Sequence, residues 1–253
     1  MECVSLWVGD RLGPVERACL RSILRQGHSV ALYCYETPAG VPAGIEVRDA
    51  SSVLPKDHIF HHERGSVAMF SDWFRYELQR LGAGTWIDTD VYLLDSLDEQ
   101  RPFLFGEELP GVINNAILRL PMDSPVLAEL LSPFGGRTPT WLPRGRYWQS
   151  RVREWITGRA DVSKMPWGTT GPMALTAAAT KHGLLSHALP QCAFYPVRWQ
   201  DAGWITDPGR SLADMVSDST VAVHLWNEMI KSYKNDRAAP GSFLERLHSE
   251  GAE

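Results

Sequence analysis

In the run Gly84-Thr85-Trp86-Ile87-Asp88-Thr89-Asp90-Val91-Tyr92-Leu93-Leu94, two carboxylates flanking a single residue close a short apolar segment. Acids at the mouth of a buried strand need a counter-charge, and two of them so close together point to a divalent cation. Aspartate oxygens are hard ligands. A site with few carboxylates suits Mg²⁺ or Mn²⁺, which keep positions open for water and for the phosphate oxygens of a substrate. Asp88 and Asp90 therefore read as a metal-bridged nucleotide diphosphate site. The other reading is a polar turn after a strand, because a motif this short recurs by chance.

These acids must be held by what precedes them. Val67, Phe70, Phe74, Leu78 and Leu81 recur at helical spacing, and Gly82 and Gly84 end the pattern. On that helix Asp72, Arg75 and Gln79 share a flank away from the apolar stripe. An acid and a base three residues apart form either a surface ion pair or, because the helix feeds directly into the Asp-Thr-Asp strand, part of the same cleft. In the second arrangement Asp72 accepts from sugar or ribose hydroxyls, and Arg75 neutralises phosphate or holds the sugar.

Ser71-Asp72-Trp73-Phe74-Arg75-Tyr76 followed by the Gly84 to Leu94 run resembles the signature of DXD-containing sugar transferases. It is most similar to glycosyltransferase family 32, the group of initiating mannosyltransferases, α-1,4-galactosyltransferases and bacterial capsular polysaccharide enzymes. A more distant likeness is to the glucosylating domains of clostridial toxins. Further blocks fall in the family's order. Leu6-Trp7-Val8-Gly9 resembles its first strand and turn, and Asn114-Asn115-Ala116 its asparagine-bearing strand. Gly168-Thr169-Thr170-Gly171-Pro172 resembles its T-G-P loop, and Val223-His224-Leu225-Trp226-Asn227 the H-x-W segment that closes over metal and diphosphate.

The resemblance implies a GT-A type α/β fold and a retaining transfer from a nucleotide diphosphate sugar, UDP-sugar foremost, to a hydroxyl acceptor. It implies Mn²⁺ or Mg²⁺ held by Asp90 with His224 and Asp88. Donor contacts would come from Trp7, Val8, Asp72, Arg75, Asp88, Thr89 and Asn227, and Asp72, Arg75, Asp88 and Asp90 would be the catalytic set. The acceptor would be a glycan, a glycolipid, a small molecule or a protein hydroxyl. Trp7 stays open between a core tryptophan and a base-stacking platform, and His224 between a satisfied structural histidine and a ligand. Gly171 and Pro172 fit the cap and first position of a helix, which is also an anion or hydroxyl site.

Two other classes share features with this pattern. A haloacid dehalogenase-like phosphatase or phosphotransferase also carries D-x-D after an apolar strand, but usually with Thr or Val where this chain has Tyr92. A non-catalytic relative would bind nucleotide or glycan without transfer.

Composition sets the frame. With 253 residues, 44% of them hydrophobic, the chain can bury a large core as one domain, with a nucleotide-sugar and metal half over 1–118 and an acceptor-side half over 119–253. A net charge of −5 argues against nucleic acid or anionic lipid as the main partner. No run approaches a membrane-spanning length, and Met1-Glu2-Cys3 opens a strand rather than a leader, so a cytoplasmic protein is expected. Cys3, Cys19, Cys34 and Cys192 show no metal spacing and read as reduced thiols.

Spacing predicts a strand over 4–8, a helix over 14–26, a strand over 30–35 and a short strand over 45–48, which is a β-α-β opening with a parallel, right-handed crossover. Ligands of such sheets sit at the strands' carboxyl ends, where Trp7 and Asp88 to Asp90 fall. After a helix over 124–131 comes a stretch rich in Trp, Pro, Arg and Gly over 133–167, with Phe134, Trp141, Tyr147, Trp148, Trp155 and Trp167. These aromatics suit either the faces of acceptor sugars or a core cover. The polar end from about 235 carries a short helix over 242–248.

Overall fold

The computed structural model describes residues 1–63 and 65–252. Its central sheet has six strands in the order β3-β2-β1-β4-β7-β6, from β1 (Glu2–Trp7), β2 (Ser29–Cys34), β3 (Ile45–Asp49), β4 (Thr85–Ile87), β6 (Leu104–Leu109) and β7 (Val112–Arg119). The first four pair in parallel, as the β-α-β opening requires, and β7 and β6 add an antiparallel hairpin. A second sheet joins β5 (Val91–Leu93) to β8 (Ala222–His224) antiparallel.

The alternation of side chains along the strands explains how helices cover both faces. Cys3, Val30, Leu32 and Cys34 pack with Leu20 and Ile23 of helix α1 (Pro14–Arg25). Their neighbours Val4, Leu6, Ala31 and Tyr33 pack with Phe70, Phe74 and Leu78 of α2 (Ala68–Arg80). The crossover from β1 to β2 thus runs on one face and that from β3 to β4 on the other. Strand order reverses between β1 and β4, and a crevice opens at their carboxyl ends. Trp7 and Asp88 both sit at those ends.

The helix start read from Pro14 holds, with Pro14 in the first turn and Glu16 complementing the dipole. Gly171 and Pro172 do open a helix, α5 (Pro172–Lys181), and α3 (Pro125–Leu131) begins after Ser124. The terminal helix is longer than its polar sequence suggested. Of the short α6 (Gln191–Phe194) and α7 (Asn227–Ile230) and the last helix α8 (Phe243–Ala252), only α8 is extended, because Leu244, Leu247 and Gly251 close against the rest of the fold, Gly251 onto the Pro14 backbone.

The aromatic stretch divides. Phe134 stacks on Trp73 at 5.3 Å and the Trp141 Nε1 donates to the Thr169 carbonyl at 2.8 Å, so these two are packed. Residues 144–157 form a helix, α4 (Arg144–Thr157), that buries none of its residues. The four cysteines are free, with Cys3, Cys19 and Cys34 buried. Among the described residues no helix is long and apolar enough to cross a membrane.

Gly84 fixes the approach to the site. Its φ of +135° disfavours any side chain, and an added Cβ would stand 2.8 Å from the Glu2 carbonyl oxygen of the neighbouring strand. Gly84→Ala is therefore expected to destabilise the fold by about 2 kcal/mol or more. Urea unfolding checks this, and an unchanged midpoint would show that the β1–β4 junction tolerates a side chain.

Candidate functional site

Asp88, Thr89 and Asp90 form the turn between β4 and β5, with the Val91 N–H donating to the Asp88 carbonyl at 3.1 Å. The motif is thus a turn and also a cluster of ligating atoms. Turn geometry alone would leave the acids in solvent. Instead, the pairing of Val91 with His224 across β5 and β8 brings the ring of His224 beside Asp90, its Nε2 3.2 Å from Asp90 Oδ2. One ligating atom each from Asp88, Asp90 and His224 lies within 4.8 Å of the others. The His224 Nδ1 is buried and has no partner among the described residues.

The two acids differ in their surroundings. Asp90 is 7% exposed and accepts the Asn227 N–H at 2.7 Å. Burial pushes its carboxyl up, but His224, the Asn227 N–H and Lys234 outweigh it and hold it below the ordinary carboxylate range. Asp88 accepts from the Trp86 indole at 2.7 Å and pairs with Arg75 at 2.9 Å. Burial raises its carboxyl more than Arg75 lowers it, and Asp90 raises it further. His224 is raised as well: burial acts downward, and the Asp90 charge and hydrogen bond exceed it.

Asp72 and Arg75 are both buried, so they form no surface pair. Asp72 accepts from Asn115 Nδ2 at 2.9 Å and from the Thr170 hydroxyl at 2.7 Å, and burial raises its carboxyl despite Arg75 and these donors. Arg75 donates to the Asn115 carbonyl at 2.6 Å, lies over the Trp86 ring at 4.7 Å, and approaches Asp72 at 3.6 Å as well as Asp88. It is the bridge between the helix acid and the turn acid. Tyr76 ties the same assembly to the Thr169-Thr170-Gly171 loop, donating to the Thr170 carbonyl at 2.6 Å. A Cβ on Gly171 would lie 3.1 Å from Asp72 Oδ2, so a side chain there would press on the carboxylate. Gln79, the third residue on that flank, holds the Gly84 carbonyl at 3.0 Å and the Leu120 N–H at 2.9 Å, a positioning duty at the far end of the helix.

On the remaining side, Trp226 carries a left-handed backbone with φ 59°, an uncommon conformation for an aromatic residue. Its indole donates to the Val197 carbonyl at 2.9 Å and its ring packs 4.2 Å from His224. That bend turns the Asn227 N–H onto Asp90. Lys234 contacts Asn227 Oδ1 and the buried Glu16. Trp7 is partly buried against the core and its Nε1 has no partner among the described residues, while Val8 and Thr89 are half-buried beside it in sequence and in the turn.

Residues 163–250 match the family described as the alpha 1,4-glycosyltransferase conserved region. Lactosylceramide 4-alpha-galactosyltransferase of rat is 25% identical over 193 residues, covering 72% of this chain and 46% of the relative. The human protein of that name is 24% identical over the same length, with 47% of it covered. The mouse protein is 26% identical, with 46% covered. The matched region and these relatives support a glycosyltransferase of the family 32 type. It spans about half the length of these relatives. The residues matched to the glycosyltransferase family model hold Thr170, Gly171, His224, Asn227 and Lys234, whereas Asp72, Arg75, Asp88 and Asp90 precede them in sequence.

Sequence reasoning brought Asp72, Arg75, Asp88, Asp90, His224 and Asn227 to one region, and the structure joins all six through contacts. It missed the clasp on Asp72 by Asn115 and Thr170, and it missed Glu16 and Lys234 altogether. Asn115 and Thr170 lie in the Asn-Asn-Ala and Thr-Gly-Pro segments. Lys234 lies in a polar tail and Glu16 in a helix's first turn, where no spacing sets them apart.

The bridging arginine gives a direct test. Arg75→Met would leave Asp72 and Asp88 without their common cation inside the fold, which costs about 3–5 kcal/mol for a broken buried pair. Chemical denaturation should record that loss; a stability within error of wild type would mean that solvent already balances both acids.

Proposed function

We propose that this chain transfers a sugar, with retention, from a nucleotide diphosphate sugar to a hydroxyl acceptor in a metal-dependent reaction. One observation carries the reading: Asp88, Asp90 and His224 converge at the carboxyl end of β4, at the point where strand order reverses, with the Asp72–Arg75–Asn115–Thr170 network against them. The donor set fits a divalent cation, since it offers hard oxygens and a ring nitrogen and leaves the buried His224 Nδ1 without a partner among the described residues. Mn²⁺ suits a mixed oxygen and nitrogen set better than Mg²⁺. When bound by Asp90, His224 and Asp88, such an ion would neutralise charge gathering on the leaving diphosphate.

The chain's own residues do the rest. The Asn227 N–H, donated to Asp90, and Lys234, fixed between Asn227 and Glu16, keep the Asp90 carboxylate ionised. Asp72, held by two neutral donors and an arginine, keeps a fixed orientation from which to accept donor sugar hydroxyls. Arg75 sets Asp72 and Asp88 relative to one another. Trp7 offers an indole at the mouth of β1 for the nucleotide base.

In the transfer, the anomeric carbon–oxygen bond to the diphosphate breaks and the acceptor oxygen bonds to that carbon on the same face. The acceptor's proton passes to the departing phosphate oxygen. No carboxylate is assigned as a covalent nucleophile. The relatives' name favours galactose as the sugar and a glycolipid as the acceptor, and UDP is the nucleotide we assign.

Asp90→Ala should lower transfer from UDP-galactose by at least ~100-fold, beyond what loss of a supporting contact to a ligand causes. Chelation with EDTA should do the same to the wild type, reversibly with Mn²⁺. Thermal unfolding gives the binding half of the test. UDP with Mn²⁺ at ~100 times its dissociation constant adds ~2.7 kcal/mol, and each ~1 kcal/mol moves the midpoint by ~2–4 °C at this size. A shift needing both nucleotide and metal, without transfer or hydrolysis, would make the chain a binding relative. Full activity in Asp90→Ala would remove the metal assignment.

A further inference from the structure

Helix α4 reverses the usual relation between a helix and its core. Successive residues turn by ~100° about the axis, so Trp148, Val152, Trp155 and Ile156 share one face about 100° wide. That face points to solvent: the four residues are 64%, 54%, 86% and 68% exposed. The side turned toward the fold is largely polar, except that Tyr147 packs against the Met69, Leu142 and Met165 cluster. Ser150 shares a hydrogen bond with the Thr138 hydroxyl at 2.9 Å, and Glu154 accepts the Thr138 N–H at 3.0 Å. Ordinary amphipathic helices bury the apolar stripe and expose the polar one.

Charge says what the exposed stripe faces. Arg144 and Arg151 flank it on one side and Arg146 and Arg153 on the other. Residues 137–164 contain seven basic and two acidic side chains, in a chain whose net charge is −5. The overall negative balance, which argued against anionic lipid, is therefore carried by the remainder of the molecule and does not describe this surface. Glu154 and Asp161, the two acids, are already engaged by Arg151 at 2.9 Å and by Arg153 at 3.0 Å. Beside the helix runs a groove lined in part by Leu142, Val152, Ile156 and Met165. An apolar face of two tryptophans and two aliphatics between rows of arginines is the composition of a helix that lies in the headgroup layer of a bilayer.

We infer that α4 docks this protein on an anionic membrane surface, with Trp148, Val152, Trp155 and Ile156 in the interface and Arg144 and Arg146, which make no ion pair among the described residues, against lipid phosphates. A second copy of the chain would cover an apolar stripe equally well but would set these arginines against their own kind. An anionic lipid surface satisfies stripe and charge together. The face owes nothing to donor or metal, so docking stands or falls apart from the transferase reading.

Co-sedimentation of the full chain with vesicles tests it, using phosphatidylcholine alone and phosphatidylcholine mixed with phosphatidylglycerol, at low and high salt. The expected result is binding to the mixed vesicles that weakens at high salt. It should fall by about tenfold or more in Trp148→Ser/Trp155→Ser and in Arg144→Glu/Arg146→Glu. Both variants alter exposed side chains, and an unchanged thermal midpoint would confirm that they fold. The inference is overturned by absence of vesicle binding, by binding indifferent to phosphatidylglycerol, or by binding that survives both variants. It is equally overturned by a dimer, seen on size exclusion, that Trp148→Ser/Trp155→Ser dissolves while vesicles are ignored.

Discussion

Negative charge packed into the interior is the constraint on which the rest of this structure depends. Asp72 and Asp90 are buried, Asp88 is nearly so, and a carboxylate removed from water is tolerated only with paired charge and hydrogen bonds. The protein supplies this unequally. Arg75 serves Asp72 and Asp88 together, and Asn115 and Thr170 complete Asp72. Asp90 has His224 and a backbone N–H. Burial pushes the Asp88 carboxyl up, while His224, the Asn227 N–H and Lys234 hold that of Asp90 down. With His224 these oxygens form a cluster of a kind able to hold a metal ion.

Topology explains how four distant segments reach it. The reversal of strand order beside β1 opens the crevice, and α2 enters β4 through the Gly84 bend, so that Asp72, Arg75 and Asp88 meet within seventeen residues of chain. The β5–β8 pairing then carries the C-terminal part back. A shift of one residue in that register would turn His224 to the other face of the ribbon and leave Asp90 without its imidazole. The left-handed Trp226 adds the last turn, directing Asn227 onto the same carboxylate.

The legible portion of this molecule was local in sequence. The 14–26 helix, the strands around it and the helix before the Asp-Thr-Asp motif follow from periodicity and from proline and glycine placement, and each appears within a residue or two. Asp88 and Asp90 could be found because two acids beside an apolar run conflict with burial. Arg75 was found as a partner of Asp72, but its bridge to Asp88 depends on the angle between α2 and β4, which no spacing encodes. Lys234 and Glu16 meet across the whole length of the chain, and neither stands in a pattern.

Helix α4 shows the opposite failure, in which a clear local pattern had a misleading default. Tryptophans at helical spacing ordinarily signal a buried face, and an acceptor-site or core reading of residues 133–167 follows from that rule. The rule assumes that the apolar side of a helix finds the core of its own domain. Here the positions facing inward include Ser150 and Glu154, both bonded to Thr138, and of the apolar residues in the helix only Tyr147 reaches a hydrophobic cluster of the fold. The arginines could have given the clue, since they border the tryptophans rather than occupying the opposite side, as they would if the tryptophans packed inward. Net charge concealed it, because a balance taken over the whole chain cannot register a basic stretch that an acidic remainder outweighs.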